Sequence, residues 1–268
     1  MAYIESLKVY SKVLGREVGI SVFLPSFSKK QSLHMADEEK FDKNRRYKTL
    51  VLLHGYGRDE TAWMRFTKAE MYAEDCGIAV VCPDGGVGHY SDWEVGEKNL
   101  TYMEKEMMPA LRTMFPLSQS REDNFVGGAS MVGYGAMKWA FTYPGTFSHV
   151  ISFSGGVDME PRLEHYKKKL DIRPVEAVFG DLSQVMGSPN DIFWLMRQAA
   201  EKGVPMPRVY ACVGDQDAPV YGACKKLEKL ARALGIDITT SYGIGKHDFI
   251  YWDQELKQAM YTWLPLNG

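Results

Sequence analysis

Residues 124–140, NFVGGASMVGYGAMKWA, decide the fold that this sequence predicts. A short apolar strand at 124–126 runs into a turn of small residues that carries Ser130, and a helical pattern follows it. These are the parts of a nucleophile elbow, in which a sharp turn presents a serine hydroxyl without steric cover. The N–H groups at the start of the helix then face the oxyanion that forms during acyl transfer.

The turn departs at one position from the G-x-S-x-G pattern of such elbows. Gly128 and Ser130 fit, but Val132 stands at the second glycine position and Gly133 comes one residue later. A β-branched side chain there is expected to restrict the turn or push the helix away from the strand, which would lower activity or repack the site. Taken alone, the motif also fits a buried strand followed by an ordinary glycine-rich turn.

The composition is that of a globular protein without a strong net charge. The 268 residues include 32 Lys and Arg against 34 Asp and Glu, which argues against broad nucleic-acid binding and against a polybasic membrane contact. The four cysteines form no CxxC pair and no ligand-spaced cluster, so no metal site is expected. The N-terminus lacks a signal-peptide pattern and no apolar run is long enough to span a bilayer, so we expect a cytoplasmic protein.

Apolar runs of strand length alternate with helical patterns along most of the chain. The run Thr49–Leu53 is apolar throughout, as a strand buried on both faces should be. The alternation predicts an α/β fold with a mostly parallel sheet and helices on both faces, whereas the first two strands are expected to be antiparallel. We also expect a solvated loop at 26–47 and one continuous helix at 97–115.

The length and the pattern predict a single domain, 1–268, with one insertion. Residues 157–205 break the alternation of strands and helices, because they are charged and contain only short helical pieces. An insertion at this point would lie over the ends of the strands, so we expect it to form a small lid or cap.

Three candidate catalytic residues each follow a predicted strand. They are Ser130, Asp217 and His247, and their order along the chain is that of the α/β-hydrolase triads. His247 would take the proton of the Ser130 hydroxyl and return it to the leaving group, while Asp217 would fix the tautomer of the imidazole. Asp215 competes for the role of the acid, and Asp217 is preferred because the chain leaves the strand after it.

A second glycine-rich turn, His54-Gly55-Tyr56-Gly57, follows the run Thr49–Leu53. In an acyl-transfer enzyme this turn would supply half of the oxyanion hole, so we expect the N–H groups of Tyr56 and Met131 to be the two donors. A simple strand-to-helix turn is the alternative. Further residues are expected to line the substrate site, and they are Gly55, Tyr90, Trp93 and Trp252.

Six motifs in this order resemble those of one known family. They are LLHGYG at 52–57, CPDG at 82–85, SMVGYGAMKWA at 130–140, FSGGVD at 153–158, GDQD at 214–217 and KHDFIYW at 246–252. The chain resembles the esterase D branch of the α/β-hydrolases, which includes S-formylglutathione hydrolases, tributyrin esterases and feruloyl esterases. The resemblance implies Ser130, Asp217 and His247 as the triad, oxyanion donors at Tyr56 and Met131, and hydrolysis of short acyl or aryl esters without a cofactor.

The sequence departs from the family pattern at two places, and both bear on the activity that we expect. The family usually shows SMGGYGA, so Val132 replaces a glycine, and residues 57–60 lack the cysteine-bearing segment of the formylglutathione hydrolases. We therefore expect a serine carboxylesterase that acts on small-molecule esters. The alternatives are an S-formylglutathione hydrolase-like thioesterase, an acyltransferase, and a catalytically impaired binding protein with the same fold. The sequence leaves open whether the protein forms a homo-oligomer.

Overall fold

The computed structural model describes residues 2–27, 33–40, 42–168 and 171–266. Parts of the predicted loop at 26–47 and of the predicted insertion at 157–205 therefore lie outside the described residues. Within the described ranges eight strands form one sheet. The strands are β1 Ala2–Ser11, β2 Arg16–Leu24, β3 Thr49–Leu53, β4 Ala79–Pro83, β5 Asn124–Ala129, β6 His149–Phe153, β7 Arg208–Gly214 and β8 Ile238–Gly243.

The order of the strands across the sheet is β1-β2-β4-β3-β5-β6-β7-β8. The strand β2 pairs antiparallel with both β1 and β4, and every other neighbouring pair is parallel. The predicted mostly parallel sheet with two antiparallel strands at its start is thus confirmed. Because β5, β6, β7 and β8 run in the same direction, the loops that follow them meet at one edge of the sheet.

Helices cover both faces of this sheet. In the described part of the chain none of them is long and apolar enough to cross a membrane. Their bounds are α1 Asp37–Lys40, α2 Ala62–Phe66, α3 Ala69–Cys76, α4 Asn99–Tyr102, α5 Met108–Met114, α6 Met131–Thr142, α7 Met159–Lys167, α8 Arg173–Phe179, α9 Ile192–Glu201, α10 Ala218–Ala233 and α11 Phe249–Gln258.

The strands are buried on both faces because successive side chains point to opposite sides. In β3, Leu50 and Leu52 belong to the apolar cluster under α2, α3 and α11, whereas Val51 and Leu53 belong to the cluster under α6, α9 and α10. All four side chains are completely buried. The continuous apolar run that predicted β3 is therefore explained by two separate cores.

Two local expectations were wrong. The predicted loop at 26–47 contains the short helix α1 among its described residues. The predicted helix at 97–115 begins only at Asn99, and a wider π-helical turn, Met103–Met107, separates α4 from α5. Pro109 is the second residue after that turn, and because proline has no N–H to donate, the regular hydrogen bonding of an α-helix is interrupted there.

The described residues of the predicted insertion, 157–205, contact other parts of the chain at several points. Helix α8 accepts two backbone hydrogen bonds from the loop before α4, from Glu94 N to Val178 O at 3.1 Å and from Val95 N to Ala177 O at 3.0 Å. Helix α9 packs against α6, the helix that follows Ser130. The lid function of this insertion stays a prediction.

A buried lysine on α6 connects the predicted insertion to the loop that carries Ser91. The Lys138 Nζ donates to Ser91 Oγ at 3.0 Å and to Asn190 Oδ1 at 2.5 Å, and the hydroxyl of Tyr134 donates to the Asn190 carbonyl at 2.9 Å. Both hydrogen-bond partners of the ammonium are neutral. Burial lowers the pKa of Lys138 to about 8, and the negative charge of Asp92 offsets only part of this effect.

The stability of the protein is expected to rise with pH through the titration of Lys138. Between pH 8 and the ordinary lysine pKa of about 10.4, the unfolded chain binds a proton that the folded chain does not, so the free energy of unfolding increases by roughly 1.4 kcal/mol per pH unit. Urea denaturation of the parent and of Lys138→Met checks this. The stability difference between them should move by about 2 kcal/mol in favour of the parent from pH 7.5 to 9.5. A constant difference would show that Lys138 stays charged.

Candidate active site

The backbone of Ser130 is held in an unusual conformation between β5 and α6. Its φ is 62° and its ψ is −123°, a region that residues with a side chain rarely adopt. Three backbone hydrogen bonds fix it there. The Ser130 N–H donates to Phe153 O at 2.9 Å, and the Ser130 carbonyl accepts from Gly133 N at 3.1 Å and from Gly156 N at 3.2 Å.

Close packing at this turn depends on the glycines at 128 and 133. A Cβ at position 128 would lie 2.2 Å from the carbonyl oxygen of Val132, and a Cβ at position 133 would lie 2.5 Å from the Gly155 Cα. Val132 itself is completely buried in the apolar cluster around α6. The structure therefore accommodates valine at position 132 without moving the helix off the strand, because the close approach occurs at the glycine that follows.

An unbroken chain of hydrogen bonds joins Ser130, His247 and Asp217. The His247 Nε2 lies 2.7 Å from Ser130 Oγ, and its Nδ1 lies 2.7 Å from Asp217 Oδ2. The carboxylate is buried, with 2% of its side chain exposed, whereas the imidazole is 39% exposed. A buried acceptor of this kind selects the tautomer with a proton on Nδ1, so Nε2 is free to accept the serine proton.

The neighbouring acid, Asp215, is turned away from His247. Its Oδ1 accepts the N–H of Gly245 at 3.1 Å and thereby holds the loop before His247. The backbone N–H of Asp215 also donates to Gly243 O at 2.9 Å, which continues the pairing of β7 with β8. Of the two aspartates that the sequence left in competition, the structure brings Asp217 to the imidazole.

The two expected oxyanion donors lie on loops that flank Ser130. Met131 is the first residue of α6, and Tyr56 follows Gly55, where a Cβ would lie 4.0 Å from the Ser130 Cβ. Among the described residues no hydrogen-bond acceptor is found for the N–H of Tyr56 or of Met131. Both donors are thus available to a negatively charged oxygen near the serine.

Tyr90 is buried, and its expected role in lining the site stays a prediction. Its hydroxyl donates to Pro83 O at 3.0 Å and accepts the N–H of His54 at 3.2 Å. The Trp63 Nε1 donates to Leu53 O at 2.7 Å from the other side. Together these contacts hold the end of β3 and position the turn that carries Tyr56.

Trp252 is also buried, and it supports the imidazole instead of facing solvent. Its ring lies edge-on to His247 with the centroids 5.1 Å apart, and its Nε1 donates to Ser154 Oγ at 3.1 Å. No role was predicted for Ser154, which directly follows β6 and has a φ of 46°. The two glycines that follow it, Gly155 and Gly156, could have indicated an unusual backbone conformation at this position.

Trp93, the remaining aromatic residue expected at the site, lies in the loop that contacts α8. Its ring fills the space beside Gly88 and Gly96, where added Cβ atoms would lie 1.7 and 2.8 Å from the ring. Its backbone N–H donates to Glu97 O at 2.9 Å. These contacts shape the loop under the insertion, and a role for Trp93 in lining the site stays a prediction.

The arrangement provides a nucleophile, a base and an acid. In the ranges that the structure describes, no group of three or more His, Cys, Asp and Glu side chains is placed to hold a metal ion. The serine hydroxyl can pass its proton to His247 as it attacks a carbonyl carbon, and the unused N–H groups can hold the resulting oxyanion.

Comparisons with known proteins identify the family of this arrangement. Residues 11–262 match the profile of the esterase family described as "Putative esterase". An acetyl esterase of Caldicellulosiruptor saccharolyticus is 27% identical over 270 residues, covering 97% of each chain.

Two solved structures from Staphylococcus aureus are similar over almost the whole chain, and both confirm the α/β-hydrolase fold. The substrate-bound fluorophosphonate-binding serine hydrolase FphF is 31% identical with a TM-score of 0.86, covering 100% of this chain and 99% of its own. The S-formylglutathione hydrolase FrmB is 30% identical with a TM-score of 0.82, covering 99% of both chains.

The glycine at position 133, and not a glycine at 132, is expected to be essential for the turn. Gly133→Val should disrupt the site, because its side chain would collide with the backbone at Gly155. Val132→Gly should lower the free energy of unfolding by about 3 kcal/mol through lost packing and lost helix propensity, without raising the activity per folded molecule. Urea denaturation and active-site titration of both variants check this. A gain of activity in Val132→Gly would contradict it.

Proposed function

Because the chain belongs to the "Putative esterase" family of esterase D-like α/β-hydrolases and is a carboxylic ester hydrolase, we propose that it cleaves short-chain acyl and aryl esters through an acyl-enzyme on Ser130. One observation carries the proposal. The hydroxyl of Ser130, the imidazole of His247 and the carboxylate of Asp217 form one hydrogen-bonded chain with both distances at 2.7 Å.

The first half of the reaction forms the acyl-enzyme. The Ser130 oxygen attacks the ester carbonyl carbon while its proton moves to the Nε2 of His247. Asp217 keeps the other ring nitrogen protonated and stabilises the imidazolium that results. The N–H groups of Tyr56 and Met131 bind the oxyanion, and His247 returns the proton to the alcohol as the C–O bond breaks.

The second half releases the acid by the same groups. A water molecule gives a proton to the Nε2 of His247 and attacks the acyl carbon, and Ser130 leaves with that proton. The imidazole is 39% exposed, which gives water a route to the acyl carbon.

A small-acyl thioester is the second candidate substrate. The similarity to an S-formylglutathione hydrolase favours it, and the same serine, histidine and oxyanion donors would cleave a thioester. The absence of cysteine at residues 57–60 and the similarity to an acetyl esterase favour the oxygen ester. Comparing kcat/KM for S-formylglutathione and for p-nitrophenyl acetate separates the two candidates. The expected cytoplasmic location stays a prediction.

Hydrolysis of p-nitrophenyl acetate and butyrate is expected to depend on Asp217 and not on Asp215. Ser130→Ala should abolish turnover, and Asp217→Asn should lower kcat by about 10⁴-fold because the imidazole loses its orientation and its tautomer. Asp215→Asn is the matched control, since the amide oxygen can still accept the N–H of Gly245, and it should change kcat by less than about threefold.

Two outcomes would contradict the proposed mechanism. Turnover that survives in Ser130→Ala would place the nucleophile elsewhere. A parent protein that is folded but inert toward oxygen esters and thioesters would favour the binding-protein alternative.

A further inference from the structure

Arg58 stands at the rim of the proposed esterase site, on the same tight turn as the oxyanion donor Tyr56. Its backbone N–H donates to Gly55 O at 3.2 Å, so residues 55–58 form one turn. A Cβ at position 55 would lie 4.0 Å from the Ser130 Cβ. The long side chain of Arg58 is exposed, and it begins on the turn whose first residue, Gly55, lies beside the nucleophile.

An aromatic shelf of Phe66 and Phe249 holds the guanidinium at this rim. The Arg58 Cζ lies 4.7 Å from the centre of the Phe66 ring, and the rings of Phe66 and Phe249 are 5.1 Å apart. Phe249 in turn lies 5.0 Å from Trp252, which contacts His247. Ring contacts through Trp252, Phe249 and Phe66 therefore connect the imidazole of His247 to the guanidinium of Arg58.

In the described part of the chain Arg58 forms no ion pair. Asp59, its neighbour, accepts from the backbone and hydroxyl of Thr61 at 3.0 and 2.5 Å, and it lies 3.7 Å from Arg65, the other guanidinium on the Phe66 ring. Asp253 is occupied by the Lys68 N–H at 2.7 Å. Asp59 and Asp253 thus have other partners, and Glu60 pairs with Lys8 at 3.4 Å. Arg58 therefore keeps a net positive charge at the mouth of the site.

We propose that Arg58 is a specificity-determining residue that favours esters carrying a carboxylate group. A guanidinium stacked with its face on an aromatic ring still directs its N–H groups outward along its edge. Two of those N–H groups can bind one carboxylate in a bidentate manner, which a neutral ester cannot use. The inference rests on the proposed esterase activity and adds a charge preference to it.

The carboxylate can belong to either part of the ester, and matched pairs of substrates distinguish the two. For the alcohol part, the pair is 4-acetoxybenzoate and its neutral amide, 4-acetoxybenzamide. For the acyl part, the pair is the mono-4-nitrophenyl ester of adipic acid and 4-nitrophenyl hexanoate. The ratio of kcat/KM within a pair, compared between variants, removes the intrinsic reactivity of each ester.

Arg58→Gln is expected to lower kcat/KM for the charged member of one pair by about fivefold, and to leave the neutral member within about twofold. Arg58→Lys should keep part of the preference, because it retains the charge and loses the bidentate geometry. Lys43→Gln is the control for net charge, since Lys43 is exposed and precedes β3, at the opposite end of that strand from Gly55. It should leave both ratios unchanged.

Salt gives an independent readout. The preference of the parent for the charged ester should fall when NaCl is raised to about 0.5 M, because the guanidinium is exposed and screened. Equal losses for the charged and neutral members in Arg58→Gln would mean that Arg58 only supports its loop, and unchanged ratios would mean that it contacts no substrate. Either result overturns the inference. A parent that hydrolyses none of the four esters would instead overturn the proposed function.

Discussion

The rest of the site depends on the conformation imposed on Ser130. A serine with a φ of 62° is strained, and conformations of this kind typically cost about 1–3 kcal/mol. The fold sustains it through three backbone hydrogen bonds, one to β6 and two from Gly133 and Gly156. Because those partners belong to β6, to α6 and to the loop that follows β6, the geometry of the nucleophile is tied to three separate parts of the chain.

Much of this arrangement could be predicted from local sequence. Apolar runs predicted the strands, and the position of serine, aspartate and histidine after three of them predicted which side chains would meet at the sheet edge. The effect of Val132 was misjudged, because the pattern does not say which residue of α6 approaches β6. That contact falls on Gly133, opposite Gly155, and it is visible only once the two elements are packed.

The supporting residues could not be predicted, because their roles arise from contacts distant in sequence. Tyr90 and Trp252 were expected to line the site as aromatic residues near it, yet the hydroxyl of Tyr90 holds the chain at His54 and the indole of Trp252 reaches Ser154. Both side chains are buried because they pack into the apolar clusters of the core. Side chains left exposed at the rim of the site, such as Arg58 on its aromatic shelf, are the ones that can meet a substrate.

The most direct test of the central claim is the reaction of the protein with a fluorophosphonate, followed by peptide mass spectrometry to locate the adduct. An activated serine in a strained turn with two free oxyanion donors should react in a one-to-one ratio, with the adduct on Ser130 and no other residue. The reaction should slow strongly when the imidazole is removed in His247→Ala. An adduct on another serine, or a folded protein that does not react, would contradict the account.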